Sequence, residues 1–416
     1  MRRGPALIAM GIATSVVVAC GVADGSTTPA GPPLTIEVST DPPITVLAKR
    51  KQPAETLAPV ALVDGPAETV APETTAAPAL LRRFSVVAGG DILSHTSVIR
   101  QAGAHAGGVG FDWAPMFDAV RPVIESADVA ICHLETPVRA PGTEVDGVVP
   151  VFGIPAEIAA GLKTVGYDRC SLSSNHALDQ GAAGIDATLG AFDAAGLGHA
   201  GMARSAGEAA ARLFEINGVT VGHVSASFAF NGLPLPDGEP WRANLIDPAR
   251  IVADAQQARV AGASVVIVSL HWGSEGVSEV IPAQRQVADM ITASGAVDLV
   301  IGHHAHVVQP IEQVNGRWVV FGMGNQLSGM GDSTDCCGVR ALDGMMVRAE
   351  IVEQPDGTFA VDRPQAIPTY LGREPYRIVP VQAALADPAV AGHITPADLL
   401  ASLDRTTQVV GPHLAF

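Results

Sequence analysis

The sequence predicts an α/β fold with a mainly parallel sheet at its centre. Three observations carry this. From Phe84 onward, short β-rich runs alternate with longer Ala-rich helical patterns. One run, 264–270 (SVVIVSL), is almost wholly apolar, as a strand covered on both faces requires. The polar clusters each follow the carboxyl end of a predicted strand, where open α/β sheets place their ligand crevice.

Strands are predicted at 84–91 (ending in a tight turn), 128–135, 168–173, 219–225, 264–270, 297–301, 318–322 and 345–352. Helices are predicted at 155–165, 182–195, 248–261 and 282–294. A further helix at 112–127 rests on the spacing of Trp113, Met116, Phe117, Val120 and Ile124. No internal repeat is visible.

The chain has 416 residues, 48% hydrophobic and 16% charged, enough apolar material for a large core. Its 25 basic and 42 acidic residues give a net charge of −17, and no stretch is strongly basic. Nucleic-acid binding is thereby excluded, since a phosphate backbone requires clustered Lys and Arg.

The amino terminus reads as a targeting signal. Arg2 and Arg3 precede an apolar stretch too short to span a bilayer, which ends in Val17-Val18-Ala19-Cys20. Residues 1–19 are therefore expected to be a signal peptide. The last four residues resemble a bacterial lipobox, which would make Cys20 the lipidated first residue of an exported protein anchored on the outer face of the cell membrane; the alternative is an ordinary signal peptide. Residues 20–82 are rich in Pro, Thr, Ala and Val and are expected to form a disordered tether. A folded domain is expected over 83–355, with 356–416 packing on it or completing it. Cys132, Cys170, Cys336 and Cys337 allow three disulfide pairings, and the vicinal pair is expected to bond elsewhere rather than to itself.

The chemistry-bearing residues converge on one rim. Asp91 and His95 follow the first strand, Glu135 ends the second, and Asn175 and His176 follow the third. His271 and Glu275 follow the apolar strand, His303, His304 and His306 the next, and Asn325 follows 318–322. Imidazole suits Zn and Fe, while carboxylate and amide oxygens suit Mn, so a mixed set points to one or two divalent ions. Three histidines within four residues are hard to account for by packing, whereas His105, His199, His223, His393 and His413 lack such company and read as structural. Gly302 would let another backbone approach the histidine cluster closely.

The order Gly90-Asp91, Leu134-Glu135, Ser174-Asn175-His176 with Asp179, His271-Trp272-Gly273 with Glu275, Gly302-His303-His304-Ala305-His306 and Gly322-Met323-Gly324-Asn325 resembles the bacterial capsule-synthesis family CapA/PgsA over about 84–352. That family is associated with poly-γ-glutamate production and belongs with the calcineurin-like metallophosphoesterases. The resemblance implies a four-layer α/β/β/α sandwich of metallophosphatase type. It implies metal ligation by Asp91, Glu135, Asn175, His271, His304 and His306, with Glu135 standing where phosphoesterases have a bridging Asp. His176 falls at the position of the catalytic histidine. The sequence departs from the pattern in three places. Leu93 stands where phosphoesterases carry a histidine ligand, and His95 is the nearest replacement. His133 stands where the family commonly has Asn, and Ala305 where it has Pro.

Two functional classes are implied. One is a hydrolase or transferase acting on a surface polymer or phosphoester, in which His176 or Glu275 handles the proton and His303 contacts substrate. The other is a non-catalytic component that binds an anionic polymer for a synthase complex.

Overall fold

The computed structural model describes residues 81–148, 150–331 and 336–415. The leader, Cys20 and all but the end of the 20–82 segment lie outside them. In chain order the elements are β1 (Arg83–Leu93), α1 (Thr96–His105), α2 (Ala114–Phe117), α3 (Arg121–Glu125), β2 (Val129–Leu134), β3 (Asp146–Val148), β4 (Val151–Gly153), α4 (Glu157–Thr164), β5 (Arg169–Ser171), α5 (Gly181–Ala195), β6 (Gly198–Ala200), β7 (Arg212–Ile216) and β8 (Val219–Ser227). Then follow α6 (Pro248–Val260), β9 (Val265–His271), α7 (Pro282–Ala293), β10 (Leu299–His303), β11 (Ile311–Val314), β12 (Arg317–Val320), β13 (Asn325–Ser328), β14 (Asp343–Glu353), β15 (Phe359–Val361), β16 (Gln365–Gly372), β17 (Arg377–Pro380), α8 (Val381–Ala386), α9 (Pro388–Ala391) and α10 (Pro396–Val410).

Two large sheets form among the described residues, as the family resemblance implies, where the strand–helix alternation alone suggests one mainly parallel sheet. The first runs β17-β16-β14-β1-β2-β5-β6, with β13 also paired to β1 and β15 to β14. The second runs β11-β12-β10-β9-β8-β7. The second is parallel at its centre and antiparallel at both margins, whereas the first is parallel on one side and antiparallel on the other: β1, β2, β5 and β6 run parallel, while β14, β16 and β17 alternate in direction. The marginal strands are short or irregular in pattern, which is why periodicity did not separate them.

The layers follow from side-chain alternation along each strand. In β1, Phe84, Val86 and Ala88 face inward to meet Val221, Ile267 and Ile301 of the second sheet. Val87 and Ile92 face outward under α1–α5, in a cluster with Trp113, Phe117, Ile158 and Leu189. In β9, Val265 and Ile267 point to the inter-sheet core. Val266 and Val268 point to α6 and α7, meeting Ile251, Ala255 and Ile291. The arrangement is the α/β/β/α sandwich of metallophosphatase type.

Three local expectations change. The single helix expected over 112–127 is two short helices, because Pro115 and Pro122 each sit within a first turn, where the missing N–H costs nothing, and so each starts a new helix. β1 does not turn at Asp91 but continues to Leu93 through a register shift. Cys336 bonds to Cys337 rather than elsewhere, because Cys132 and Cys170 are direct register partners on β2 and β5, with Cα atoms 4.4 Å apart, and bond to each other.

Beyond residue 355, β15, β16 and β17 lie in the same sheet as β1, and α8–α10 pack on its far margin through Val379, Val381 and Leu399. Arg405 of α10 donates from Nε and Nη2 to both carboxylate oxygens of buried Asp343 on β14, at 2.5 and 2.8 Å. Arg405→Ala would leave that carboxylate without its bidentate partner. It is expected to lower stability by about 1–3 kcal/mol, measured by urea unfolding; an unchanged midpoint would show that this pair does not hold α10 in place.

Candidate metal centre

Asp91 sits at the bulge of β1, paired on one side with His133 of β2 and on the other with Asn325 of β13. Bulges re-aim side chains, and here the carboxylate reaches the turn that follows β10 in the other sheet. His303 donates from Nδ1 to Asp91 Oδ1 at 3.0 Å, and the His304 backbone N–H donates to Oδ2 at 2.9 Å. His306 Nδ1 lies 3.4 Å from Oδ2 and 2.9 Å from Asn325 Oδ1. His304 and His306 both have positive φ, 90° and 55°. Such backbone is costly for a residue with a Cβ and persists only where its surroundings over-determine it. Gly302 before them is obligatory: a Cβ there would lie 1.9 Å from the carbonyl oxygen of Phe321.

Glu135, fully buried just past β2, lies at the middle of the group. Its Oε1 is 3.8 Å from His271 Nε2 and 3.7 Å from His306 Nε2, and neither carboxylate oxygen has a hydrogen-bond partner. His304 Nδ1 is likewise buried and unpartnered. A buried carboxylate with both oxygens unpaired is expensive unless a cation completes it. Asp91, Glu135, Glu275, His133, His271, His304 and His306 offer ligand atoms in four overlapping groups, within 4.8 Å of one another in each. The donor set and the orphaned oxygens thus fit one or two divalent ions of the Mn, Fe or Zn kind.

Electrostatics agree with that fit. Burial, reinforced by neighbouring histidines, holds His133 and His271 well below the ordinary imidazole range and His304 down to about 3, so these rings are neutral. Burial also pushes Glu135 up to about 7. Asp91 goes the other way: burial opposes its charge, but hydrogen bonds from His303 and His306 outweigh that and hold it well below the usual carboxylate range. His306 loses by burial but gains more from Glu135 and Asp91, and rises to about 10.

Asn175 and His176 extend the group on the side of His271. Asn175 Oδ1 is 2.9 Å from His271 Nε2. His176 Nδ1 lies 2.7 Å from Asp179 Oδ2, an orienting carboxylate that also accepts from the Phe152 backbone N–H. Glu275 is exposed at the mouth, beside His304 and His306. Phe228, 45% exposed, lays its ring 4.5 Å from that of His304 and forms an apolar wall over the histidines.

Two residues are placed differently from expectation. His95 is not brought into the ligand group: its Nδ1 accepts from the Gly329 N–H at 3.0 Å, and its ring packs edge-on against Phe152, because α1 starts immediately after it and carries it away from the rim. His303, expected to touch substrate, is buried, donates to Asp91 and stacks at 3.9 Å on His133. It orients a ligand instead. His133 is the site residue that sequence reasoning left out. Its Nε2 is 2.9 Å from His271 Nδ1 and its Nδ1 2.8 Å from Ser171 Oγ. The available signal was a histidine at a strand end two residues before Glu135.

Fold and site together define an α/β/β/α sandwich protein with a buried histidine–carboxylate cluster suited to a divalent metal. The chain belongs to the family described as bacterial capsule synthesis protein PGA_cap, whose profile matches residues 85–330. It is 27% identical over 256 residues to the PGA biosynthesis protein CapA of Bacillus subtilis, covering 59% of this chain and 63% of that one. It is 30% identical over 233 residues to a probable polyglutamine synthesis accessory protein of Mycobacterium tuberculosis, covering 51% of this chain and 60% of that one. The match thus spans less than two thirds of the length of either relative. Among solved structures, a calcineurin-like phosphoesterase, YfkN from Bacillus subtilis, aligns with a TM-score of 0.44 at 15% identity, over 79% of this chain and 98% of that one.

Metal binding is expected to depend on pH in a defined direction. Glu135, raised to about 7, is protonated below that pH, and His306, raised to about 10, carries a proton at neutrality. Both protons must leave before these atoms can ligate. Titrating Mn²⁺ or Zn²⁺ into metal-stripped protein should therefore show affinity rising from pH 6 to pH 8, with protons released into the buffer. Affinity flat across that range would remove Glu135 and His306 from the ligand set.

Proposed function

We propose that the protein is a cell-surface, lipid-anchored component of capsule or poly-γ-glutamate synthesis whose metal centre hydrolyses or transfers a bond in a surface polymer or phosphoester. The observation that carries the enzymatic part is Glu135: a fully buried carboxylate with no hydrogen-bond partner, lying within 4 Å of His271 and His306. A divalent ion held there supplies Lewis acidity and a source of hydroxide near neutral pH.

The chain's own residues account for the rest. His176, fixed through Nδ1 by Asp179, presents Nε2 for proton transfer, as a base oriented by a third group does. His303 and Asn325 hold Asp91 and His306 in register. Glu275 at the mouth is placed to handle the proton in place of His176, and Phe228 limits water on one side of the cleft. The names of the Bacillus and Mycobacterium relatives, a PGA biosynthesis protein and a probable polyglutamine synthesis accessory protein, support the role in polymer synthesis and a synthase complex as partner. The second reading, a non-catalytic component that binds an anionic polymer for such a complex, is favoured by the departure at Leu93, which leaves one customary ligand position without a histidine.

The two readings separate in a phosphodiesterase assay on the metal-loaded protein, run beside metal analysis. His304→Ala is expected to lose most of the bound metal and the activity. His176→Ala is expected to keep the metal and lose activity by about 10²–10⁴-fold, the range for a removed general acid or base. Metal retained in the wild type with no turnover of phosphodiester or polymer would favour the binding role. For the anchor, Cys20→Ala is expected to release the protein from the membrane fraction and abolish incorporation of labelled palmitate; unchanged labelling would sink the lipoprotein reading.

A further inference from the structure

A polar cavity lies at the lateral edge of the sandwich, lined by none of the metal-centre residues. It has a volume of about 270 Å³ and is lined by Asp168 and Arg169 at the start of β5, by 196–199 around β6, and by Arg212 and Phe214 of β7 in the other sheet.

Arg169 is 4% exposed. Its guanidinium sits over the Phe214 ring at 4.0 Å, and its Nε–H donates to His223 Nδ1 at 3.0 Å; His223 in turn is 2.9 Å from Ser269 Oγ. Those contacts use one of its five donors and set its charge against a ring face, not a carboxylate. Among the described residues no carboxylate forms an ion pair with Arg169 or with Arg212, although Arg212 is near enough to disfavour the charge on Arg169. The acidic residues of the wall have other partners besides, although Asp168 is near enough to favour the charge on Arg169. Asp168 accepts from the Ala130 N–H and faces Lys163, and Asp193 pairs with Arg204. Two like-charged guanidinium groups facing one cavity, one of them buried, form an incomplete arrangement that a bound oxyanion would complete.

His199 narrows the class of that anion. It is 5% exposed, its Nε2–H donates to Asp193 Oδ1 at 3.3 Å, and its Nδ1 is buried without a partner. Burial, with help from Arg212, keeps the ring neutral, so Nδ1 is an acceptor waiting for a donor. A ligand that satisfies the cavity must offer negative oxygens to the two arginines and a hydroxyl proton to His199. We propose that this cavity binds a protonated phosphate group, as inorganic phosphate or as a phosphomonoester, through Arg169, Arg212 and His199. Sulfate matches the charge and shape but lacks the proton; acetate lacks both the shape and the proton.

The test is calorimetric titration of the full chain with inorganic phosphate at pH 7. Binding of one phosphate is expected to survive in His304→Ala, which disables the metal centre, and to weaken by about tenfold or more in Arg212→Gln, as loss of a charge-assisted bidentate contact predicts. Arg212 is half-buried at the cavity wall, so its variant can be verified as folded by circular dichroism. Sulfate is expected to bind more weakly than phosphate in the wild type, with the difference shrinking in His199→Phe. A phosphomonoester such as glycerol 2-phosphate then separates the two sources: binding equal to or tighter than phosphate assigns the ester, weaker binding the free ion. Phosphate affinity unchanged by Arg212→Gln in the His304→Ala background, or sulfate binding as tightly as phosphate, would overturn the proposal.

Discussion

Everything at the metal centre depends on the carboxylate of Asp91 crossing from one sheet to the other. It is the point at which β1 of the first sheet is joined to the turn after β10 of the second, through the His303 ring and the His304 N–H. Without that acceptor, nothing in the turn would compensate for two histidines in left-handed backbone. Without the turn, Asp91 would be a fully buried charge with no partner. The two costs cancel only together, so the sheets are locked at the place where the ligands meet.

Glu135 and the surrounding histidines carry the same logic a step further. Asp91 is satisfied within the protein; Glu135 is not. The first carboxylate fixes the geometry, and the second remains open to an ion. Neutral rings at His133, His271 and His304 keep the centre from filling with positive charge of its own. His133 belongs to this scheme as the ring that links Ser171 to His271, an outer contact of the kind that fixes a ligand's tautomer and orientation.

The legible part of the sequence was the part with strong periodicity or rare residues. β9 announced itself by seven buried positions in a row, and α5 and α7 by helical spacing. The His303–His306 cluster stood out because histidine is uncommon. What could not be read was determined by tertiary contact. β15 and β17 are short, and each joins the sheet only through the strand beside it, β15 through β14 and β17 through β16. His95 has the right type and nearly the right spacing, yet the start of α1 takes it out of the ligand group. His199 and Arg169 looked ordinary because their significance comes from strands β6 and β7, which belong to different sheets and are brought to one edge by folding. A lone histidine in sequence carries no mark of an unpaired nitrogen.

The antiparallel pairing of β14 with β1 has a consequence for where the working unit ends. The family profile stops at residue 330, but β14 begins at Asp343 and hydrogen-bonds along β1 from Arg83 to Ala88, leading up to the bulge that aims Asp91. The Asn325 amide that steadies His306 rests on the carbonyl of Ala341. The stretch of chain that carries the ligands is therefore shorter than the stretch that holds them in place, because one flank of β1 is zipped by a strand that comes after them all.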